Sequence, residues 1–295
     1  MNSWYLLVAL STVLCLPIDG QAPKPDKPLP ELNEFIKGIR STLHSDRLLL
    51  SQYTFTEKDI ERNLDKDGKV KSTDEEIHEI YPSLEEGLTY ERLISKNGKP
   101  LSQKDLDKQD RKHDKKMQER AQQLEREGTS ERAKRLAKEA EEKRKEEETL
   151  DDLFRLYEIR MAGRETQNGY QAILLTFDPR PEYKPRTRDG KFLEKIKGRA
   201  WICEEDHQLV RIEATLIDNL TLGMGVLARL NKGATAVFER RKVNNEIWLP
   251  AQARFTGSAR LLLLKGMRID ASSEYSDYRK FTVETRVKYG AEKDP

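Results

Sequence analysis

Five consecutive residues, Cys203-Glu204-Glu205-Asp206-His207, bring a thiol, three carboxylates and an imidazole together. Those types could make a Cys–His nucleophile pair or a metal site. A nucleophilic cysteine needs a depressed thiol pKa and a base held by a third group. Three neighbouring carboxylates act the other way, because negative charge disfavours the thiolate. The flanks, RAWIC and QLVRIEATL, alternate like strands, so the five residues read as the polar tip of a β-hairpin. If the turn is centred there, Cys203 and His207 come close across it. On this reading Cys203→Ser leaves function intact. The better place for a site is then Trp201 with Val210, Ile212, Ala214 and Leu216, which alternation puts on one strand face.

Other stretches invite chemistry and give way to plainer readings. Asn63-x-Asp65-x-Asp67-Gly68, with Asp74 later, has the outline of a calcium loop. Such a loop needs a bidentate Glu at its twelfth position and a helix on each side. Asp74 stands there instead, and the preceding QYTFTEKDI is rich in Thr and aromatics, so a hairpin turn is expected. Gly223-Met224-Gly225-Val226-Leu227-Ala228 fits a dinucleotide fingerprint but lacks the strand–helix context. G-x-S-x-G, H-E-x-x-H and paired cysteine ligands are absent from the sequence. Of the four histidines, His113 lies in a highly charged stretch and His44 near a helix end, where a cation is favoured. Asn219-Leu220-Thr221 is a glycosylation sequon, relevant only in a eukaryotic secretory pathway. No cofactor, no metal and no catalytic residue are expected, so the chain reads as a protein other than an enzyme.

The totals narrow the class. The chain has 295 residues, 54 Lys+Arg against 52 Asp+Glu, and a net charge of +2, which gives no case for nucleic-acid binding. Residues 1–20 read as a signal peptide: Trp4 to Leu16 form a short apolar run, Pro17 breaks it, and Gly20 and Ala22 follow. The run is too short to span a bilayer. No Lys or Arg precedes it, so an uncleaved anchor is the rival reading. Leu14 is too bulky for Cys15 to be a lipid-modified cysteine. Removal of the signal leaves Cys203 as the remaining cysteine, which excludes an intramolecular disulfide. Residues 21–30, rich in Pro and charge, form an extended lead-in. The expected destination is outside the cytoplasm, by export.

The remaining residues, 31–295, read as a single domain with an insert at about 102–150. Leu32, Phe35, Ile36 and Ile39 give a helix with one buried stripe. Strand-like runs follow, from Leu48 onward, with turns at Asp67-Gly68 and Asn97-Gly98. Residues 103–148 then carry 15 Lys/Arg and 14 Asp/Glu, the composition of a solvated helix. Opposite charges at helical spacing (Asp107/Arg111, Glu131/Arg135, Glu139/Lys143, Glu141/Lys145) support it. One rod would extend on the order of 70 Å. Gly128 to Ser130 could break it into a hairpin, with Ser130 as the cap. After Leu150 about six strands follow, turning at Asn168-Gly169 and Asn244-Asn245. No long helix separates them, so the sheet must be antiparallel. Ala172 to Phe177 is apolar on both faces and reads as a central strand. The fold class is α+β: a curled antiparallel sheet, an incomplete β-barrel, covered by helices and carrying a long charged helical insert.

Four segments carry a family resemblance: LDKDGKV, RLISKNGKPLS, LLTFDPRP and GRAWICEEDHQLVRIEA. They resemble periplasmic proteins related to the bacterial outer-membrane lipoprotein-sorting carriers (LolA-like), in particular members in which a charged helical stretch follows N-G-K-P-L. The resemblance covers most of residues 46–289. It implies an incomplete antiparallel barrel closed by helices around an apolar cavity for acyl chains. The long charged insert and the greater length depart from the carriers, so no functional residue transfers one for one.

Two functions are consistent with these observations. One is binding or carriage of a hydrophobic ligand, a lipid or the acyl chain of a lipoprotein, on the concave face. The lining residues expected for it are Tyr53, Phe55, Leu174, Ile212 and Phe255. The other is an envelope scaffold that meets a protein partner through the charged helix and holds no ligand.

Overall fold

The structure, a computed structural model, describes residues 27–42, 47–85, 87–222, 228–261 and 266–281. The expected signal segment, Cys15, His44 and residues 223–227 of the glycine motif lie outside them. Helix α1 spans Leu32–Thr42 and α2 spans Arg47–Leu50. Strands β1 (Tyr53–Leu64), β2 (Val70–Tyr81), β3 (Tyr90–Lys96) and β4 (Lys99–Pro100) follow. The insert is two helices, α3 (Gln103–Glu125) and α4 (Thr129–Leu156). Next come β5 (Tyr157–Gln167), β6 (Tyr170–Pro179), α5 (Arg188–Leu193), β7 (Ile196–Cys203) and β8 (Leu209–Leu216). Short strands β9 (Leu220–Leu222) and β10 (Ala228–Leu230) precede β11 (Thr235–Val243), β12 (Ile247–Leu261) and β13 (Met267–Lys280).

All described strands join one antiparallel sheet, ordered β4-β3-β2-β1-β13-β12-β11-β8-β7-β6-β5, with β10 and β9 branching from β12. The terminal strands β4 and β5 do not pair with each other among the described residues, so the curled sheet stays open, as expected. Those two edges are the strands on either side of the insert. The strands outnumber the expectation because β4, β9 and β10 are two or three residues long, too short to show a period of two. Residues 48–50, which read from sequence as the start of a strand, belong to α2.

Turn chemistry sets the register. Asn97-Gly98 and Asn168-Gly169 connect Lys96↔Lys99 and Gln167↔Tyr170 with φ of 50°, 71°, 52° and 85°. Left-handed values at both positions are what a tight hairpin needs, and Asn and Gly tolerate them. Asn244 and Asn245 do the same between β11 and β12. The calcium-like segment is the β1–β2 hairpin: the Asp65 carboxylate accepts the backbone N–H groups of Asp67 and Lys69, each at 2.9 Å.

One expectation is corrected. A register shift between Trp201 and Ile202 makes Val210 an extra residue on β8. Val210 therefore packs with Trp201, Cys203, Ala172 and Leu174, while Ile212 packs on the opposite face with Ile202 and Leu175. Strict alternation had joined Val210 and Ile212; a bulge breaks it. Strand β6 is covered on both faces, as read, yet it lies next to edge strand β5 and not at the centre. Its even residues belong to the Trp201 cluster and its odd residues to the Phe35 cluster.

The insert breaks at residues 126–128, and α4 starts at Thr129, so Ser130 falls inside the first turn. Glu131 takes the capping role by accepting the Gly128 N–H at 3.3 Å. Of the four predicted pairs, Glu141–Lys145 forms at 2.7 Å, while Arg135 turns to Glu127 and Glu139. Among the described residues α3 buries none of its own, and α4 buries Asp152 and Leu156 near its C-terminal end. Asp152 accepts hydrogen bonds from Tyr183 Oη, the Arg186 and Thr187 amides and Thr187 Oγ1, at 2.7–2.9 Å. Burial pushes its carboxyl pKa up, but these donors outweigh burial and hold it below its ordinary value.

Asp152→Ala strands these buried donors and is expected to cost about 2–4 kcal/mol in urea unfolding. The Asp152 folded pKa lies below the unfolded one, so its contribution is complete above the unfolded carboxylate range and is lost as pH falls through the folded value. Wild type should therefore lose more stability on acidification than Asp152→Ala does.

Candidate functional site

The cleft-side face of the sheet is apolar from β5 to β8. By register, Met161, Leu175, Ala200 and Ile212 form one row, and Ile159, Phe177, Gly198 and Ala214 form the next. Small residues in these rows give the floor its depth. Gly198 is required where it stands: a Cβ there would meet the Phe177 ring at 2.6 Å and the Glu213 carbonyl oxygen at 2.0 Å.

Helix α1 lies over this floor. Glu31 caps it by accepting the amides of Asn33 and Glu34 at 3.0 and 2.8 Å. Its stripe buries Phe35 against Ile173, Leu175, Ala200 and Ile202. The cover is incomplete. Between α1, the C-terminal part of α4, α5 and the floor runs a cleft of about 2050 Å³, open to solvent. Ile36 and Ile39 line it from α1, Leu150, Leu153 and Phe154 from α4, and Leu193 from α5. Leu175, Phe177, Ile202, Leu209 and Ile212 make its floor. Along one rim stand Arg135, Lys138, Glu142 and Lys145 of α4, with Arg120 of α3. The wall is thus apolar below and mixed in charge above.

The hairpin tip closes one end of the cleft and separates the Cys–His pair. Cys203 lies in the Trp201 cluster on the far face and is 4 % exposed. His207, with φ of 58°, sends its ring to the α1 side, 4.9 Å from the Phe35 ring, and lines the cleft. The two side chains point to opposite faces, so they form no dyad. Burial pushes the Cys203 thiol pKa up, with Asp206 as a lesser cause. Carboxylate repulsion, the cause expected from sequence, ranks below desolvation. Asp206 accepts hydrogen bonds from Trp248 Nε1 at 2.8 Å and Lys242 Nζ at 2.9 Å. Burial raises its carboxyl pKa, but these donors and the Cys203 thiol hold it below the ordinary value. The tip is a braced turn. Among the described residues no group of three or more His, Cys, Asp or Glu is placed to hold a metal ion.

The five residues singled out from sequence fall in five places. Ile212 is on the cleft floor. Leu174 is on the opposite face with Trp201 and Trp248. Tyr53 is fully buried with Ile247 and Leu249, and its hydroxyl donates to Glu246 and accepts from Asn244. Phe55 packs on the rings of Tyr275 and Tyr278. Phe255 packs with Leu216, Leu220 and Ala234. Trp201 is outside the cleft too: Arg199 and Arg211 cover its ring at 5.2 and 5.5 Å, and its Nε1 donates to Glu165. The α1 stripe was the sequence signal for the cleft. The contributions of Leu153 and Phe154 were hidden at the end of a charged run.

No family model and no curated protein matches the chain. Among solved structures it is similar to a domain described as an outer membrane lipoprotein-sorting protein from Vibrio parahaemolyticus, with 11 % identity over 85 % of this chain and 92 % of that one, at a TM-score of 0.34. It is similar to a LolA superfamily protein from Nitrosomonas europaea, with 9 % identity over 88 % and 97 % of the two chains, at a TM-score of 0.32. It is also similar to a chain of the MucA/MucB complex of Pseudomonas aeruginosa, with 8 % identity over 85 % and 99 %, at a TM-score of 0.21. The cleft, not these likenesses, carries the functional reading. Among the described residues no helix is long and apolar enough to cross a membrane.

Cys203→Ser is expected to change stability by less than about 1 kcal/mol, since serine keeps a donor toward Asp206. Asp206→Ala, which leaves the Trp248 and Lys242 donors unpaired, should cost about 1–3 kcal/mol by urea unfolding.

Proposed function

We propose that this chain is an exported periplasmic protein that binds or carries a hydrophobic ligand, a lipid or the acyl chain of a lipoprotein. Residues 1–20 act as its export signal, 21–30 as its lead-in and 31–295 as one domain. The observation that supports the reading is the cleft of about 2050 Å³, with Leu175, Phe177, Ile202 and Ile212 below and Leu153 and Phe154 at its side. Burying an acyl chain there contributes roughly 0.8 kcal/mol per CH₂. Ile212, of the residues expected from sequence, is the proposed lining residue; Tyr53, Phe55, Leu174 and Phe255 are proposed as core that shapes the wall.

Protein purified without detergent should retain lipid by native mass spectrometry and should bind fluorescent fatty acids. Each CH₂ added to the probe should tighten binding roughly fourfold until the cleft is full. Ile212→Glu should weaken the probe by more than about tenfold, because a charge on the floor loses its solvation when the tail enters. Val70→Glu, at the exposed start of β2 and outside the cleft lining, is the matched control. An empty protein that ignores every probe would end this reading.

A second reading, an envelope interaction protein acting through α3 and α4, is favoured by one observation. Met117, Leu124 and Leu136 stand 40–49 % exposed on those otherwise charged helices. Deletion of residues 103–148 separates the two: loss of a co-purifying partner with lipid uptake intact would favour interaction.

A further inference from the structure

The insert is held very differently at its two ends. Near its C-terminal end, α4 is part of the core: Leu156 is fully buried, Asp152 carries its four donors, and Arg40 of α1 pairs with Asp151 and covers the Phe154 ring. At the other end, α3 meets β3 through polar groups. The Arg92 guanidinium grips both Asp110 oxygens, at 2.8 and 3.1 Å, and donates to Glu79 at 3.0 Å. Tyr90 Oη donates to Asp110 at 2.7 Å, and the Tyr90 ring stacks on His113 at 4.2 Å. The Gln109 side chain brackets Leu93, accepting its N–H and donating to its C=O, both at 3.0 Å. Arg120 pairs with Glu85, and Lys116 donates to the Gly87 carbonyl.

Between these ends the helices form an arch. The main neighbour of α3 is β3, and the main neighbours of α4 are α5 and β5. By register Arg92 and Glu79 share the sheet face of Trp201, away from the cleft, whereas Leu153 and Phe154 border the cleft itself. The arch therefore passes from one face to the other around the open seam, and its middle carries Lys138, Glu142 and Lys145 along the cleft rim. In this arrangement Arg120 Nε is buried with no hydrogen-bond partner among the described residues.

We propose that the α3–α4 arch is a swinging strap over the cleft: the Arg92–Asp110–Tyr90 and Gln109–Leu93 contacts release as a latch, and α4 pivots about its buried last turns. These contacts are polar and keep partial access to water, with Arg92 and Asp110 side chains 19 % and 38 % exposed, so this end of the insert opens at lower cost than the buried hinge, while the sheet stays folded. Salt weakens it, since the Debye length falls from about 10 Å at 0.1 M to about 3 Å at 1 M. The buried hinge is screened far less.

The Leu93 amide reports the latch directly, because its outward N–H is held by the Gln109 side chain. Hydrogen exchange followed by NMR on the full chain is the test, and it needs no ligand. Leu93 should exchange about tenfold faster in 1 M NaCl and in Arg92→Ala or Asp110→Asn, with Leu175 on the floor unchanged. The wild-type salt arm stands alone if a variant fails to fold. Leu93 exchange as slow as that of Leu175 under all conditions, or the two accelerating together, would overturn the strap. Fluorescent fatty-acid uptake by stopped flow is the second arm. Faster association in Asp110→Asn is expected; accelerated exchange with no lipid bound would keep the strap and reject the lipid reading.

Discussion

Strands β6 and β7 are apolar on both faces, and that constraint arranges the molecule. Ala172, Leu174, Trp201 and Cys203 face one way; Ile173, Leu175, Ala200 and Ile202 face the other. Neither face can be left in water. On the first, Val210 and Trp248 complete the cluster while Arg199 and Arg211 cover the indole of Trp201. On the second, Phe35 of α1 supplies the cover, with α4 and α5 at the side. The other half of the sheet makes no such demand. Followed along the register, the row of Ala200 and Ile212 continues through Phe238, Ala253 and Ser273 into Asp59 and Glu76. The same face thus begins as oil and ends as carboxylate. Helices gather where the oil is, and a cleft remains where one short helix cannot cover four strands.

Much of this was legible in the sequence, for identifiable reasons. Asn-Gly pairs announce tight turns because both positions need positive φ, and the open antiparallel sheet follows from the lack of helices between the later strands. The amphipathic stripe of α1 gave the cover. Three things were hidden. The bulge at Val210 has no composition signal and reverses which residues share a face. The two-faced β6 gives no way to choose Leu175 over Leu174 for the cleft floor. The apolar end of α4 is masked by the charge run before it. Tyr53, Phe55 and Phe255 are large and apolar, but which cluster a large residue joins depends on curl and register, not on its type.

The insert shows why composition alone misjudges such a segment. Its mixed charges do read as a solvated helix, and most of its length is that. The pairs it forms, however, are not simply those of helical spacing. Arg135 reaches back across the elbow to Glu127, and Asp110 leaves its own helix for Arg92 on β3. The charges that matter most to its placement are those that find partners elsewhere in the chain. Its two anchors differ in kind, one desolvated and one wet, so the same segment answers differently to salt at its two ends.

Cys203 closes the account in a different currency. Enclosed by Trp201, Val210 and Trp248, with its proton held toward Asp206, the thiol offers neither access nor nucleophilicity in the folded state. It becomes chemically visible only when the β7–β8 hairpin parts from its neighbours. The rate at which a thiol reagent finds it therefore measures how often this half of the sheet breathes open, a built-in clock for the stability of the cleft floor.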